Sequence, residues 1–297
     1  MSAVQAQGGG RALVHPINHI VEIPAAPALG RWRAQLDLPL PLKSWTRTVP
    51  AVEALALIDA AEPGLELSAW SERAEALLPQ TEPAYRQTLV RLVERLFVQA
   101  PDGVIVEAPL LKLLHGGTER RRHDLYYAAY GLAHPWTLLA CRQVLLPLLD
   151  RLGDAAAVSI EDWDHFVLRF GEPDATEASR RKTRSTVIGV LQQLGVLERE
   201  ANSAAPTKPR RAAPDASAFG WVLADQLALE LWGEATLTWA SHISDAAMLY
   251  CLRPETAAEL TQGAIRARVL KKAEVAGAPG IAISAAWGLE PQVAAAS

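Results

Sequence analysis

The sequence predicts a mainly α protein, a helical chain with winged-helix (helix-turn-helix) units and short β-wings. Apolar residues recur at helical spacing through most of the chain. A basic helix follows an acidic helix after a short turn, and an extended segment follows the basic helix. Two further strand-like segments lie near the end of the chain.

Changes in sequence character divide the chain into five predicted segments. Half of the 297 residues are hydrophobic, which is enough for two or three modest domains. We expect a flexible N-terminal tail at 1–29, an N-terminal helical domain at 30–117, a helical and winged-helix domain with a basic recognition helix at 118–202, a linker at 203–217 and a C-terminal winged-helix-like domain at 218–297.

Composition restricts the classes of function. The formal net charge of -4 means that any nucleic-acid contact must come from a local basic patch. Cys141 and Cys251, far apart among apolar neighbours, indicate neither a disulfide framework nor a cysteine metal site, and they fit a reducing cytoplasm. The apolar stretch at 125–152 is interrupted by Pro135 and Pro147, so we interpret it as buried helices rather than a membrane span.

The N-terminal domain is predicted from helical periodicity over 51–100. Breaks at Pro63-Gly64 and at 79–83 divide this region into two or three short helices. The run GVIVEA, beginning at Gly103, clusters β-branched residues after a turn and predicts a strand.

A cluster of three arginines, Arg120, Arg121 and Arg122, precedes an aromatic helix with Tyr126 and Tyr130. Two interpretations stay open at this point. The cluster is either a solvated helix face or a group of phosphate contacts.

The segment VSIEDWDHFVLRF predicts a helix from Ile160. Ser159 and Asp162 have the spacing of a capping box, and Trp163 begins the apolar face. The acidic residues Glu161, Asp162 and Asp164 are typical of a first helical turn, where the helix dipole favours negative charge. Metal binding by these carboxylates is the alternative.

The segment ASRRKTRSTVIGVLQQLGVLERE crowds positive charge into the start of an amphipathic helix. We expect Ser179 to be its N-cap and Gly195 to end it. Positive charge in the first turns is unfavourable to the helix dipole, whereas a recognition helix directs such side chains at DNA. The predicted phosphate and groove contacts are Arg180, Arg181, Lys182 and Arg184, with Thr183 and Ser185 as hydroxyl donors to backbone or base edges.

Further basic residues lie beyond this helix. The alanine-, proline- and serine-rich stretch after Glu200 predicts a linker or a long flexible wing, in which Lys208, Arg210 and Arg211 add mobile charge. A helix from Phe219 follows, and VLKKAEVAG and GIAIS predict two strands joined by a Gly-Ala-Pro-Gly turn. The cations of this second wing either reach DNA backbone or protect an edge strand; they are Arg266, Arg268, Lys271 and Lys272.

Three stretches, LYYAAYGLAHPWTLLACRQVLLPLLDRL, SIEDWDHF and ASRRKTRSTVIGVLQQLGVLE, resemble the BrxA family of bacterial BREX phage-defence systems over residues 125–198. The earlier KSWTRTVPAVEAL, with Arg47 and Thr48, is similar to the family's N-terminal start. The resemblance implies a helical protein of winged-helix character that binds double-stranded DNA beside the system's methyltransferase, ATPase and phosphatase-like components, without catalysis. The chain departs from the family in its additional C-terminal segment from about Ser203.

No catalytic constellation emerges from the sequence. Gly116-Gly117 lacks the lysine and hydroxyl residue of a phosphate-binding loop, and Pro16 separates His15 from His19. We therefore expect no enzyme activity, no cofactor and no metal.

The predicted function is that of a non-catalytic, cytoplasmic accessory protein of a BREX-like defence system, with double-stranded DNA and other defence components as partners. The alternative is a winged-helix adaptor for protein interactions within a multi-subunit defence complex. A nuclease that uses Glu161, Asp162 and Asp164 is a third hypothesis. The predicted DNA-binding residues are Arg180, Arg181, Lys182, Thr183, Arg184, Ser185, Arg47, Arg120, Arg121 and Arg122.

Overall fold

The computed structural model describes residues 50–100, 102–198, 206–230, 237–238, 246–275 and 278–283, and most of them are helical. The mainly α prediction is therefore confirmed. The α-helices are α1 (Ala51–Asp59), α2 (Leu67–Leu77), α3 (Pro83–Phe97), α4 (Pro109–His115), α5 (Glu119–Ala133), α6 (Pro135–Ala140), α7 (Leu146–Leu152), α8 (Ile160–Phe170), α9 (Glu177–Gln193), α10 (Ala216–Glu230) and α11 (Pro254–Arg266). The strands are β1 (Leu237–Thr238), β2 (Leu270–Val275) and β3 (Ala278–Ile283).

Helix α5 lies at the centre of the apolar core. All of its residues at 125–133 are buried, and it packs against α1, α3, α4, α6, α9 and α10. The buried residues form one cluster that extends from Ala54 to Ile281. Contacts cross the predicted domain boundaries: Arg122 pairs with Asp59, and the Cys141 thiol donates to the carbonyl oxygen of Leu249 at 3.5 Å. The boundaries themselves stay a prediction.

The first of three similar units spans 51–106. Helix α1 leads to a short extended segment at 65–66, and α2 and α3 follow. The chain then reverses where the Gly103 amide donates to the Ala100 carbonyl oxygen at 3.2 Å. The predicted strand at 103–108 is only an isolated antiparallel bridge between Val104 and Glu66, within a segment at 103–106 that pairs with the residues before α2. On its other side the Val106 amide donates to the Gln99 carbonyl oxygen at 2.8 Å. The segment after the turn is therefore the middle one of the three.

The second unit, at 135–210, repeats this arrangement. Helices α6 and α7 come first, Val158 provides the first extended residue, and α8 and α9 follow. Thr207 exchanges two backbone hydrogen bonds of 2.9 Å with Val158, and Pro209 forms an antiparallel bridge with Leu197. The segment at 207–210 again lies in the middle.

The third unit, at 216–283, has the longest strands. Its order is α10, β1, α11, β2 and β3, with a helical turn at 246–249 before α11. The sheet order is β1-β3-β2, and both pairings are antiparallel. All three units thus place their last extended segment between the other two.

The structure corrects two sequence predictions about these units. Residues 207–210, in the stretch predicted as a linker or a long flexible wing, are paired on both sides, and Arg211, predicted to add mobile charge, binds Asp150 at 2.7 Å. The register of the β2–β3 hairpin pairs Val275 with Ala278, so Pro279 and Gly280 lie within β3 rather than in the predicted turn. A Pro-Gly pair is compatible with the end of a short strand, which is why composition alone misplaced the turn.

Helix α6, a π-helical turn (Cys141–Leu145) and α7 follow one another without a break. Pro147 explains the wide turn, because its ring lacks an N–H and crowds the carbonyl of the preceding helical turn. The apolar stretch at 125–152 is therefore interrupted at His134, where α5 ends, and continues as helix from Pro135 to Leu152. Within the described residues, no helix combines the length and the apolar character that crossing a membrane requires.

Candidate nucleic-acid interface

Helix α8 precedes the basic helix α9, and a short turn connects the two. Its capping box is present as predicted: the Asp162 amide donates to Ser159 Oγ at 3.1 Å, and the Ser159 amide donates to Asp162 Oδ2 at 2.9 Å. Trp163 is fully buried, and its indole N–H donates to Thr207 Oγ1 at 2.9 Å. This bond ties α8 to the last extended segment of the second unit.

Helix α9 begins earlier than the sequence predicted. Thr176 is the N-cap, and its Oγ1 accepts a hydrogen bond of 3.2 Å from the Ser179 amide. The prediction that Ser179 caps the helix is therefore wrong. Both residues have a suitable hydroxyl, but Thr176 directly follows the turn after α8, and Glu177 then lies in the first turn, where the dipole favours an acid.

The exposed face of α9 carries three of the predicted DNA-binding residues. Arg181, Lys182 and Ser185 are exposed. Thr183 lies on the opposite side, only 1% exposed, in line with the fully buried Val187. The Thr183 hydroxyl therefore faces the core and not the surface that carries Arg181.

Intramolecular contacts hold the remaining arginines of α9. Arg180 Nη1 donates to the Ala175 carbonyl oxygen at 2.7 Å, so its guanidinium closes the turn before the helix. Arg184 Nη1 lies 2.5 Å from Asp164 Oδ2 on α8. Both side chains therefore border the exposed face.

The exposed cations of α9 have few competing partners. Arg181 pairs with Glu177 at 2.6 Å, and both side chains are mostly exposed, so this ion pair is weak and exchangeable. Lys182 forms no ion pair with any residue in the described part of the chain. These two side chains are the ones available to an external anion.

The acidic residues of α8 already have structural roles. The Asp162 carboxylate accepts from Ser159, and the Asp164 carboxylate binds Arg184. Glu161 is exposed in the first helical turn. The arrangement accounts for the three acids without a metal ion.

The arginine cluster at the start of α5 joins separate parts of the chain. Arg120 Nη2 donates to the Ala213 carbonyl oxygen at 3.0 Å, and Arg121 lies 3.4 Å from Asp215. Arg122 binds Asp59, which ends α1. All three guanidinium groups thus have intramolecular partners, while Arg47 lies outside the described residues.

Among the basic side chains of the hairpins, one is held by a hydrogen bond and others are exposed. Arg210 Nε donates to the Gly195 carbonyl oxygen at 2.7 Å, which fixes a side chain predicted to be mobile. Lys208 is exposed beside it. In the third unit, Arg268, Lys271 and Lys272 are exposed on and next to β2.

Sequence reasoning did not consider the cations of α3. Arg91 and Arg95 are exposed four residues apart on that helix, and Arg86 donates to the Gln80 carbonyl oxygen at 3.2 Å. The signal in the sequence was a pair of arginines four residues apart on an amphipathic helix, without the cluster of cations that marked the start of α9.

Comparisons with models of protein families, with curated proteins and with solved structures find no significant match to this chain.

Proposed function

We propose that the protein is a non-catalytic, double-stranded DNA-binding protein and that its second unit is a winged helix with α9 as the recognition helix. The order of elements supports this proposal. The unit begins with helix and a single extended residue, Val158. Two helices joined by a turn follow, and then an antiparallel hairpin. The last extended segment lies between the other two. This is the order of a winged helix.

The exposed face of α9 has the side chains that suit DNA binding. Arg181 and Lys182 extend from the first two turns of the helix, and Ser185 lies one turn further on the same side. Cations bind phosphate oxygens, and a serine hydroxyl donates to backbone or base edges. Arg180 adds positive potential at the border of this face, because its acceptor is a neutral carbonyl oxygen, whereas Asp164 compensates the charge of Arg184.

The hairpin of the second unit lies beside this helix. The Glu198 amide donates to the Lys208 carbonyl oxygen at 2.9 Å, so the two extended segments run antiparallel from the end of α9. The exposed Lys208 is the wing residue that we expect to contact phosphate.

The test compares charge reversal on α9 with charge reversal elsewhere. Duplex binding is measured by fluorescence anisotropy of a labelled random duplex at two salt concentrations. We expect R181E/K182E to bind far more weakly than the unaltered protein and to reduce the slope of log affinity against log salt by about 2, since each phosphate contact contributes about 0.9.

The matched control is R73E/R151E, which makes the same change in net charge at two exposed residues on α2 and α7. If the control weakens binding as much as R181E/K182E does, the attraction is a general effect of net charge and α9 is not the DNA-binding helix. Binding that persists at high salt would also contradict the proposal.

The biological setting that we propose is a BREX-like phage-defence system in the bacterial cytoplasm, where duplex DNA is present. Support comes from the resemblance of residues 125–198 to the BrxA family. Purification of the tagged protein from a host with such a system, after nuclease treatment of the lysate, tests whether other defence components bind it directly. If every component is lost with the nuclease, DNA alone connects them.

An adaptor role is the second candidate, and the third unit favours it. Its helix α11 exposes Glu255 and Glu259, which repel phosphate but suit a basic protein surface. We expect E255K/E259K to lose any defence component that survives nuclease treatment. If the variant retains every such component, α11 is not the docking helix.

A further inference from the structure

Helix α3 has the same place in the first unit that α9 has in the second. Each is the last helix of its unit, and each leads into an antiparallel hairpin whose last segment pairs with an extended segment from before the preceding helix. The two helices therefore have the same neighbours in their units, a preceding helix and a following antiparallel hairpin.

The inward faces of these helices fix a register between them. Leu89, Val93, Leu96 and Phe97 are buried on α3 at positions i, i+4, i+7 and i+8. Thr183, Val187, Val190 and Leu191 are buried on α9 at the same spacing. Leu89 therefore corresponds to Thr183.

An arginine supports this register independently. Three residues before Leu89, Arg86 donates its Nη1 proton to the Gln80 carbonyl oxygen in the turn before α3. Three residues before Thr183, Arg180 donates its Nη1 proton to the Ala175 carbonyl oxygen in the turn before α9. Both units thus use an arginine at the same helical position to close the preceding turn.

The register also identifies the outward residues. Gln87, Thr88 and Arg91 on α3 correspond to Arg181, Lys182 and Ser185 on α9. Gln87 and Arg91 are exposed, and within the described residues no ion pair or hydrogen bond engages the Arg91 guanidinium. Gln87 is an amide suited to adenine or to backbone contacts, and Arg91 is suited to phosphate or guanine.

The third unit provides a contrast within the same chain. On α11, Ala257, Thr261 and Ala264 are buried at i, i+4 and i+7, so Ala257 corresponds to Thr183. The outward residues are then Glu255, Thr256 and Glu259, which bring two negative charges to the face where α9 has a cation and a hydroxyl. The last helices of the three units therefore differ in the charge of their outward faces, although their buried residues have the same spacing.

From this comparison we infer that α3 is a second duplex-binding helix, with Gln87 and Arg91 directed at double-stranded DNA, whereas α11 is not. The inference rests on the proposed function of α9. It makes the protein bivalent for DNA, so affinity depends on two separate helices of one chain.

The first experiment is anisotropy with R91E and with the matched control R73E, in which an exposed arginine of α2 in the same unit is reversed. We expect R91E to lower duplex affinity by about fivefold to tenfold and to reduce the salt slope by about 1, while R73E has little effect. Equal affinity of R91E and R73E would overturn the inference.

The same series separates this inference from the proposed function. If R181E/K182E weakens binding and R91E does not, the α9 proposal survives and the α3 inference fails. If R91E weakens binding and R181E/K182E does not, DNA binding lies on α3 and the α9 proposal fails. If neither variant weakens binding, both are wrong.

A second measurement does not depend on charge. Cys141 and Cys251 are both fully buried, so Q87C introduces a thiol that a maleimide reaches without competition from them. We expect saturating duplex to slow maleimide labelling of the thiol in Q87C. The thiol in E72C, on α2, should be labelled as fast as without DNA. Equal labelling of both variants in the presence of duplex would contradict contact between α3 and DNA.

Discussion

Gly189 lies in α9, seven residues after Lys182 and four after Ser185, and therefore on the face that we propose to contact DNA. A Cβ added at this glycine would meet no atom within 4 Å. Two other glycines inside helices differ, since a Cβ at Gly263 would lie 2.7 Å from the Ala216 Cβ and one at Gly131 would lie 3.1 Å from Leu194 Cδ1. Packing explains those two glycines, but no packing in the described part of the chain explains Gly189.

We predict that Gly189→Ala makes the fold more stable and DNA binding weaker. Alanine in place of a helical glycine raises the free energy of unfolding by about 0.5–1 kcal/mol, because it reduces the entropy of the unfolded chain. The added methyl group would hold the duplex away from α9, and Gly189→Leu would do so more strongly. Urea unfolding and duplex anisotropy measure the two effects, and unchanged binding in both variants would show that DNA does not approach this turn.

Tyr250 is a buried polar side chain with no evident use for its hydroxyl. The hydroxyl oxygen has no hydrogen-bond partner among the described residues. Burial raises the pKa of Tyr250 well above its usual value, and the nearby charges of Asp124 and Asp215 raise it further. The folded protein therefore holds this group neutral at pH values at which an unfolded chain ionises it.

We predict that Tyr250→Phe reduces the loss of stability at alkaline pH. A raised tyrosine pKa contributes stability that is fully present below about pH 10 and is lost as pH rises above it, by about 1.4 kcal/mol per pH unit for one proton. At pH 7 the variant should be equal in stability or more stable by up to about 1 kcal/mol, since it leaves no buried hydroxyl unpaired. Urea unfolding at pH 7 and above pH 10 tests this, and an unchanged alkaline slope would contradict it.

Among the elements, local side-chain patterns predicted one helix start and misplaced another. Ser159 and Asp162 satisfy each other within a single turn, so their spacing was sufficient to predict the start of α8. Before α9 two hydroxyl residues compete, and only the position of the preceding turn decides between them. That turn depends on Arg180 and Ala175, whose contact the sequence does not reveal.

We predict that Thr176→Ala lowers the free energy of unfolding by about 1 kcal/mol, because the Ser179 amide loses its side-chain acceptor. Ser179→Ala serves as the control. It removes the hydroxyl contact between Ser179 Oγ and Thr176 Oγ1 but keeps the cap, so its effect should be smaller. Urea unfolding measures both, and an equal loss in the two variants would mean that Thr176 does not act as the N-cap.

At the scale of the whole molecule, the mainly α class could be predicted from the sequence. The division into three units with the same order of extended segments could not. Helical periodicity is a local property, and it remained visible through α3 and α9. The repeated order of extended segments depends on long-range pairs such as Val158 with Thr207. In the first two units these pairs involve very few residues, too few for period-two alternation to appear in the sequence.

The basic candidates illustrate the same limit. Sequence spacing selected Arg181, Lys182 and Ser185, which the structure exposes together, but also Thr183, which it buries. A continuous run of residues around a helix necessarily includes an inward one. Partners distant in sequence, such as Asp59 and Asp215 for the α5 arginines, become visible only in the folded chain.

The contacts of the α5 arginines join α1, α5 and the segment before α10, so we expect these side chains to stabilise the fold. Arg122→Gln removes the ion pair with Asp59, in which the arginine side chain is 21% exposed, and we expect it to lower the free energy of unfolding by about 1 kcal/mol. Arg121→Gln should act similarly through Asp215, while Arg120→Gln, at a side chain that is 74% exposed, should have less effect. Urea unfolding measures these losses.

Duplex anisotropy on the same variants distinguishes a structural role from DNA binding. If these arginines serve the fold, Arg121→Gln and Arg122→Gln leave the salt slope of binding unchanged at temperatures where the variants are folded. If they contact phosphates, each substitution reduces the slope by about 0.9. Since Arg120 already donates to the Ala213 carbonyl oxygen, and Arg121 and Arg122 already form ion pairs with Asp215 and Asp59, we expect the unchanged slope.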